Sequence, residues 1–237
     1  MMNKIIHRAN SRGYANHGWL QSYHTFSFAG YYNPEAMQFG ALRVLNDDWV
    51  KGGMGFGAHP HENMEIVSIP LSGALEHKDN TGRNEIIRSN DVQIMSAGTG
   101  ITHAEYNASK TDPVSFLQIW VFPKVRNIAP RYQQLTFDPA ARKNTLQVVV
   151  SPDKDTDALW INQDAWFSLG QLDQDGSLSI TPKLTGHGSY IFVLEGELQV
   201  GGETLKRRDA IGLSDYTQAN ITATKAAEFL IIDVPLN

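Results

Sequence analysis

Short runs of β-branched and aromatic residues alternate with clusters of Gly, Asn, Asp and Ser along most of this chain. The alternation predicts nine strands, at residues 65–69, 74–78, 84–88, 92–95, 114–122, 147–150, 190–195, 197–200 and 229–234. Turn clusters recur about every ten residues, a spacing typical of β-sandwiches and β-barrels. Helical periodicity is scarce, and the strand–helix alternation of a Rossmann fold is absent. The pattern therefore predicts an all-β fold.

A weak internal repeat predicts two similar β modules in tandem. Residues 65–75 resemble residues 188–198, and each segment is followed by a hairpin signal and then by an aspartate, Asp91 or Asp209, that opens another strand. The least patterned stretch between the two copies is residues 124–144. We therefore divide the chain into an N-terminal domain, residues 1–133, and a C-terminal domain, residues 134–237.

Composition narrows the classes of function. The 237 residues include no cysteine, which excludes disulfides, thiolate zinc sites, iron–sulfur clusters and cysteine nucleophiles. The formal net charge is −5 and the longest basic cluster is residues 206–208, which argues against direct binding of nucleic acid. The first ten residues lack the apolar segment of a signal peptide, and no apolar run reaches the roughly 18 residues of a membrane-spanning helix. We therefore expect a soluble, cytoplasmic protein with no membrane association.

Two short motifs place metal-binding residue types at strand spacing. Residues i and i+2 of a strand point to the same face, so His59 and His61 project together, and Pro60 between them favours extended backbone. His103 and Glu105 share a face in the same way if their segment is extended. Each pair follows a glycine-rich segment, where the chain can turn sharply. On neighbouring strands, the two pairs would offer three imidazoles and one carboxylate to a divalent first-row metal ion.

Either pair alone has an ordinary explanation, because a single His-x-His or His-x-Glu pair often arises by chance. Their combination within one module is what favours a metal site. The second copy of the repeat serves as an internal comparison, since the residues that align with the four ligand candidates are not ligand types: Pro182, Leu184, Ile221 and Ala223. We therefore expect one metal ion per chain, in the N-terminal domain.

These motifs carry a resemblance to a known superfamily. Two motifs resemble the paired motifs of the cupins: Gly53-x5-His59-x-His61-x3-Glu65 and Gly100-x2-His103-x3-Asn107. Within that superfamily the chain closely resembles the pirin family, in particular the bacterial pirin-like proteins with quercetin 2,3-dioxygenase activity. The stretches that match are residues 8–13, 17–20, 24–29, 42–48, 56–61, 95–100 and 118–120. The resemblance implies a bicupin, with two tandem β-barrels of the jelly-roll type in one chain, of which the C-terminal barrel is metal-free.

The resemblance also implies the ligand set, which is one metal ion held by His59, His61, His103 and Glu105. Fe(II) is the metal we expect first, and Mn, Ni, Co, Cu and Zn remain alternatives because such a ligand set accepts them all. Glu65 fills the glutamate position of the first cupin motif. Pirins take their carboxylate ligand from the later motif, so we interpret Glu65 as a residue that supports the ligands. No site for an organic cofactor is indicated.

The activity that the resemblance implies is cleavage of a flavonol such as quercetin by O2, with both oxygen atoms incorporated and CO released. Glu105 is the candidate catalytic base for the substrate hydroxyl, if its carboxylate leaves the metal. Two alternatives stay open. One is a metal-containing regulatory or binding protein that acts through a protein partner, as the resemblance to eukaryotic pirins suggests. The other is a dioxygenase for a different enolic substrate.

Several further residues have a structural and a functional interpretation. His24 lies among aromatic residues, which favours a packed and hydrogen-bonded side chain, and His77 has no partner at ligand spacing.

Unperturbed imidazoles titrate near pH ~6.5, so we expect metal affinity to weaken below about pH 6. Five apolar residues could wall a pocket for a flat substrate, but packing in a core is the favoured interpretation for each of them: Phe26, Phe28, Phe56, Met95 and Trp120.

Overall fold

The computed structural model describes residues 2–236 and confirms the all-β architecture. These residues form twenty strands and two short 3-10 helices, Ala9–Ser11 and Pro139–Arg142. Neither helix in this part of the chain is long and apolar enough to cross a membrane.

Twelve strands precede residue 137 among the described residues. In chain order they are β1 (Asn3–His7), β2 (Gly13–Asn16), β3 (Leu20–His24), β4 (Leu42–Val50), β5 (Gly55–His61), β6 (Glu65–Ser72), β7 (Ala74–Asp79), β8 (Asn84–Arg88), β9 (Asp91–Ser96), β10 (Ile101–Asn107), β11 (Val114–Val121) and β12 (Arg131–Thr136). Strands β2 to β12 build the first barrel from two sheets. One has seven strands in the order β12-β9-β6-β11-β4-β3-β2, and the other has four in the order β5-β10-β7-β8.

The second barrel is built on one nine-stranded sheet. Its own strands are β13 (Thr145–Ser151), β14 (Leu159–Trp160), β15 (Trp166–Leu172), β16 (Ser177–Ile180), β17 (His187–Val200), β18 (Glu203–Lys206), β19 (Ala210–Ser214) and β20 (Ala219–Pro235). The main path is β1-β19-β17-β20-β15-β13-β14, with β16 beside β20 and β18 beside β17. Strand β1 therefore crosses from the N-terminus to the edge of the second sheet.

Every predicted segment falls on an observed strand, and the nine segments together locate eight of the twenty strands in residues 2–236. Eight of the nine predicted segments lie inside an observed strand, and the ninth exceeds β11 by one residue. The two segments at 190–195 and 197–200 are one long strand, β17, rather than two. Gly196 explains the difference, because it adopts φ +84° within a bulged part of the β17–β20 pairing. A turn residue in the sequence is here a bend inside a continuous strand.

The seven-stranded sheet has one face that packs against the second barrel. Successive strand residues point to opposite faces of a sheet. Val67 and Leu117 lie on one face, and the residues next to each of them in sequence lie on the other. Both residues are fully buried in an apolar cluster with Phe167 and Leu230 of the second barrel. The two barrels therefore share a continuous core, and the other face of the sheet lines the interior of the first barrel.

Strand pairing bears on where one domain ends and the next begins. Strand β12 pairs with β9 of the first barrel, and the next strand, β13, pairs with β15 of the second. The proposed division between residues 133 and 134 lies within β12, and it stays a proposal. Asp47 adds a polar link between the barrels, since its Oδ2 lies 2.9 Å from Nε of Arg208 and 3.8 Å from Nη2 of Arg12.

Candidate metal centre

The four predicted ligand residues lie on β5 and β10, which are neighbours in the four-stranded sheet. His103 is directly opposite His59, and the register shifts between His103 and Glu105. Close approach of the two strands depends on Gly55, because a Cβ at that position would lie 2.4 Å from the carbonyl oxygen of Glu105. The glycine-rich segment before the first motif therefore has a packing role beside the site.

Three of the four residues form one compact cluster of imidazoles. The ring centroids of His59, His61 and His103 lie 4.5–4.9 Å apart. One potential ligand atom from each ring lies within 4.8 Å of the others, a spacing that suits a shared metal ion. His103 is 1 % exposed, whereas the other two rings are half-buried.

Glu105 belongs to a second cluster that overlaps the first. Its carboxylate, His103 and His77 also have potential ligand atoms within 4.8 Å of one another. Ser68 Oγ donates to Oε1 of Glu105 at 3.2 Å, and Gln118 Nε2 donates to Oε2 at 2.7 Å. Both carboxylate oxygens therefore have protein partners. The set of four ligands that includes Glu105 stays a prediction.

His77 is a residue that the sequence reasoning missed. It is completely buried on β7, with Nδ1 3.4 Å from Nδ1 of His103 and Nε2 3.0 Å from Oδ2 of Asp79. Burial acts to raise the pKa of Asp79, but hydrogen bonds from Thr81 and His77 lower it overall, so the carboxylate is ionised and accepts. The available signal was the spacing His77-x-Asp79, which repeats the pattern of the ligand pairs but ends one residue beyond the predicted strand 74–78.

This chain of contacts assigns the ring nitrogens. His77 donates from Nε2 to Asp79, so its Nδ1 accepts from Nδ1–H of His103. Nε2 of His103 then carries a lone pair, and it is a buried atom with no hydrogen-bond partner within residues 2–236. Nδ1 of His59 donates to the carbonyl oxygen of Gly57 at 2.8 Å, which leaves Nε2 of that ring free in the same way. Metal-ligating histidines have this arrangement, so the residues fit a metal ion.

Two of the imidazoles, His61 and His103, are neutral at neutral pH. Burial, and after it the neighbouring rings, lower the pKa of His61 to about 4 and that of His103 to about 3. A metal ion therefore meets little competition from protons at these two ligands. The expectation of weaker binding below about pH 6 assumed unperturbed rings, and for these two residues the competition begins at lower pH.

A cavity of about 590 Å³ opens beside the cluster and includes His59 and Glu105 in its wall. This volume lies within the roughly 300–1,000 Å³ of pockets that bind drug-sized ligands. Phe28, Phe56 and Trp120 line it, so for these three of the five apolar residues the structure supports the pocket wall over the favoured interpretation of core packing. The other two, Phe26 and Met95, are instead buried in apolar clusters of the core.

Two further sequence interpretations have a clear outcome. Glu65 is buried, but its Oε2 accepts from Ser96 Oγ at 2.8 Å and from the backbone N–H of Asn162 at 3.1 Å, so its contacts join the two barrels rather than the ligands. His24 is packed, as expected, with its ring edge-on to Phe28 at 5.3 Å. Its Nδ1 nevertheless has no hydrogen-bond partner among the described residues, and the ring lines the cavity.

The fold and the site together define a class. Two β-barrels in tandem, with a histidine cluster and a cavity inside the first, are a bicupin with a site suited to one metal ion. Comparison with known families assigns each barrel. Residues 6–121 match the family model described as Pirin, and residues 148–234 match the quercetinase C-terminal cupin domain.

Individual relatives agree with this assignment over the whole chain. The quercetin 2,3-dioxygenase of Escherichia coli K12 is 42% identical over 230 residues, which is 97% of this chain and 98% of the relative. A pirin-like protein of Caulobacter vibrioides is 39% identical over 222 residues, 93% of this chain and 95% of the relative. The crystal structure of the E. coli bacterial pirin YhhW in complex with nickel(II) matches with a TM-score of 0.94 and 40% identity, and covers 99% of this chain and 100% of that one. The chain belongs to the pirin family.

Proposed function

We propose that this protein is a metal-dependent dioxygenase that cleaves flavonols such as quercetin with O2 and releases CO. The observation that carries the proposal is the position of the imidazole cluster beside a cavity with aromatic walls. The name of the E. coli relative, a quercetin 2,3-dioxygenase at 42% identity, supports the same activity.

The proposed ligands are His59, His61, His103 and Glu105, with Fe(II) as the first metal to test. The nickel(II) complex of the E. coli pirin supports metal binding in this fold and makes Ni(II) the second. A bound divalent ion would act as a Lewis acid toward an enolic oxygen of the substrate.

The protein side chains would orient the substrate, exclude water and accept a proton. The rings of Phe28, Phe56 and Trp120 provide flat apolar surfaces that orient an aromatic substrate and exclude water. Glu105 lines the same cavity, and its carboxylate is the group placed to accept the proton of a substrate hydroxyl. Gln118 and Ser68 contact its two oxygens, so they would orient the carboxylate when it leaves the metal to accept the proton.

The direct test is loading of the protein with Fe(II) without oxygen, and separately with Mn, Ni, Co, Cu and Zn, followed by quercetin and O2. Flavonol loss and CO are measured together, with His103→Ala as the comparison. We expect equal amounts of the two with the native protein and none with the variant. Full metal occupancy without flavonol loss would refute the proposal, and would favour a different enolic substrate or a regulatory role through a protein partner.

A further inference from the structure

A belt of polar side chains crosses the inner face of the seven-stranded sheet. Its members occupy directly paired positions: Ser22 opposite Asp48, His24 opposite Asn46, and Gln118 opposite both Asn46 and Ser68. None is more than 9 % exposed, and apolar residues such as Leu20, Phe116 and Ile66 lie beyond the belt. Polar residues at this density inside a barrel need hydrogen-bond partners.

One half of the belt has its partners within the protein. Gln118 donates to Glu105, and the single hydroxyl proton of Ser68 is shared between Oε1 of Glu105 at 3.2 Å and Oε1 of Gln118 at 3.0 Å. This half supports the metal-side carboxylate. The belt residues on β3 and β4 do not support that carboxylate in the same way.

The other half has polar atoms that lack partners. Nδ1 of His24 and Oδ1 of Asn46 are buried and have no hydrogen-bond partner within residues 2–236. Both residues line the cavity, and so does Asp48, whose Oδ1 accepts from Ser22 Oγ. An unpaired buried polar atom is costly, so these atoms are placed to bind a group that enters the cavity.

The chemistry of these atoms selects the group. An amide oxygen and a carboxyl group accept hydrogen bonds, and an imidazole can donate or accept. Burial raises the pKa of Asp48 to about 7, and the nearby charges of Asp47 and Glu105 act in the same direction, so its carboxyl group can also donate near neutral pH. Hydroxyl groups both donate and accept. The adjacent rings of Phe28 and Trp120, packed edge to face with centroids 5.3 Å apart, give the cavity an aromatic wall that favours an aromatic molecule as the carrier of these hydroxyl groups.

We propose that His24, Asn46 and Asp48 form a subsite that binds phenolic hydroxyl groups on the ring of the substrate farthest from the metal ligands. Gln118 lies between Asn46 and Glu105, so a substrate that contacts both ends spans the cavity. The subsite rests on the proposed flavonol dioxygenase function and determines which flavonols are preferred. Occupation by water alone would give no such preference.

The test compares two ligands that share the metal-binding end. Quercetin carries hydroxyl groups on its outer rings, whereas 3-hydroxyflavone has none there. Dissociation constants are measured without oxygen by fluorescence titration of the Ni(II)-loaded protein. We expect the native protein to bind quercetin about 10-fold more tightly or better, the equivalent of one to two well-made hydrogen bonds. In Asn46→Leu and His24→Phe, the preference should fall below roughly 3-fold.

The matched control is Phe28→Leu, which changes an apolar wall of the same cavity. It should weaken binding of both ligands by a similar factor and leave their ratio unchanged. Thermal unfolding and metal content confirm that each variant is folded. If Asn46→Leu does not fold, Asp48→Asn replaces it, because it keeps the size of the side chain and should reduce the preference at least about 3-fold at pH 8.

The outcomes separate the subsite from the activity. A native protein that binds both ligands equally, or that binds neither, overturns the subsite, and so does a preference that survives in both variants. If the preference survives while the native protein releases CO, the activity stands without the subsite. If the preference falls as expected but no flavonol is consumed, the subsite stands and the dioxygenase function does not.

Discussion

Replacement of His77 tests whether the buried chain from Asp79 to His103 controls metal binding. His77→Phe keeps a ring of similar size but removes the acceptor for Nδ1–H of His103 and the donor to Asp79. The His103 ring then has no partner that fixes its tautomer. Its proton can move to Nε2, which is the nitrogen left for the metal.

The magnitude follows from the contacts. Loss of one partner of a buried hydrogen bond costs about 1–3 kcal/mol. Removal of a group that orients a metal-ligating histidine weakens metal binding by roughly 10–100-fold, or about 1.4–2.7 kcal/mol. The first figure is a cost in folding stability, and the second is the loss of metal affinity. We therefore expect the Ni(II) dissociation constant of His77→Phe to rise about 10–100-fold.

The assay is competition with a chromophoric chelator, with the Co(II) absorption spectrum as a second measure of ligand geometry. The second barrel offers a matched control. His187 is also buried and donates to an aspartate, Asp233, with 2.6 Å between Nδ1 and Oδ1, but none of the ligand residues lies beside it. His187→Phe should therefore lower stability and leave metal affinity unchanged.

A folded His77→Phe protein that binds Ni(II) within about twofold of the native affinity would refute this reasoning, since orienting groups typically contribute more. An equal loss of affinity in His187→Phe would also refute it, because the effect would then be one of general stability. Asp79→Asn should give a smaller loss than His77→Phe, because the acceptor for His103 remains in place.

Two other predictions concern buried carboxyl groups. Glu105→Gln should lower turnover per bound metal by about 100-fold or more, the typical contribution of a general base; full occupancy with full turnover would show that Glu105 is not the base. Burial raises the pKa of Glu65 to about 7, although the backbone N–H of Asn162 and the hydroxyl of Ser96 oppose the rise. Between pH ~4.5 and ~7 the folded protein thus holds a proton that the unfolded chain has lost, so Glu65 lowers stability as pH rises through that window. Urea unfolding at pH 5 and pH 8 should show Glu65→Gln gaining up to about 3 kcal/mol relative to the native protein, and an unchanged difference would contradict the assignment.

Much of the fold was predictable because its signals are local. Alternation of β-branched residues with turn clusters identified most of the central strands, since each strand's pattern depends on its own neighbours. Gly196 is the exception, because there the local signal is ambiguous. Glycine marks a turn after β6 at Gly73 but a bulge inside β17, and the pairing with β20 decides which.

The candidate site was predictable in part. The spacing of His59 and His61 on extended backbone was sufficient to place these two imidazoles on one face, whereas the register between β5 and β10 brings His103 opposite His59. His77 was not predictable as a partner of His103, because the contact joins strands whose register the sequence does not state. The same holds for His24 and Asn46, which meet only through the pairing of β3 with β4.

The sequence by itself determined the all-β class, the repeat and the residues able to hold a metal, because residue type and spacing act within a few positions of the chain. Tertiary structure alone decided which polar side chains have hydrogen-bond partners within the protein and which have atoms left to bind a ligand. Cross-strand register brings Ser68 and Gln118 within hydrogen-bond distance of Glu105. It also brings His77 beside His103, and it leaves His24 and Asn46 lining a cavity. Hydrogen bonds between distant strands depend on distances that only the folded sheets fix, and those bonds distinguish a structural polar residue from a binding one.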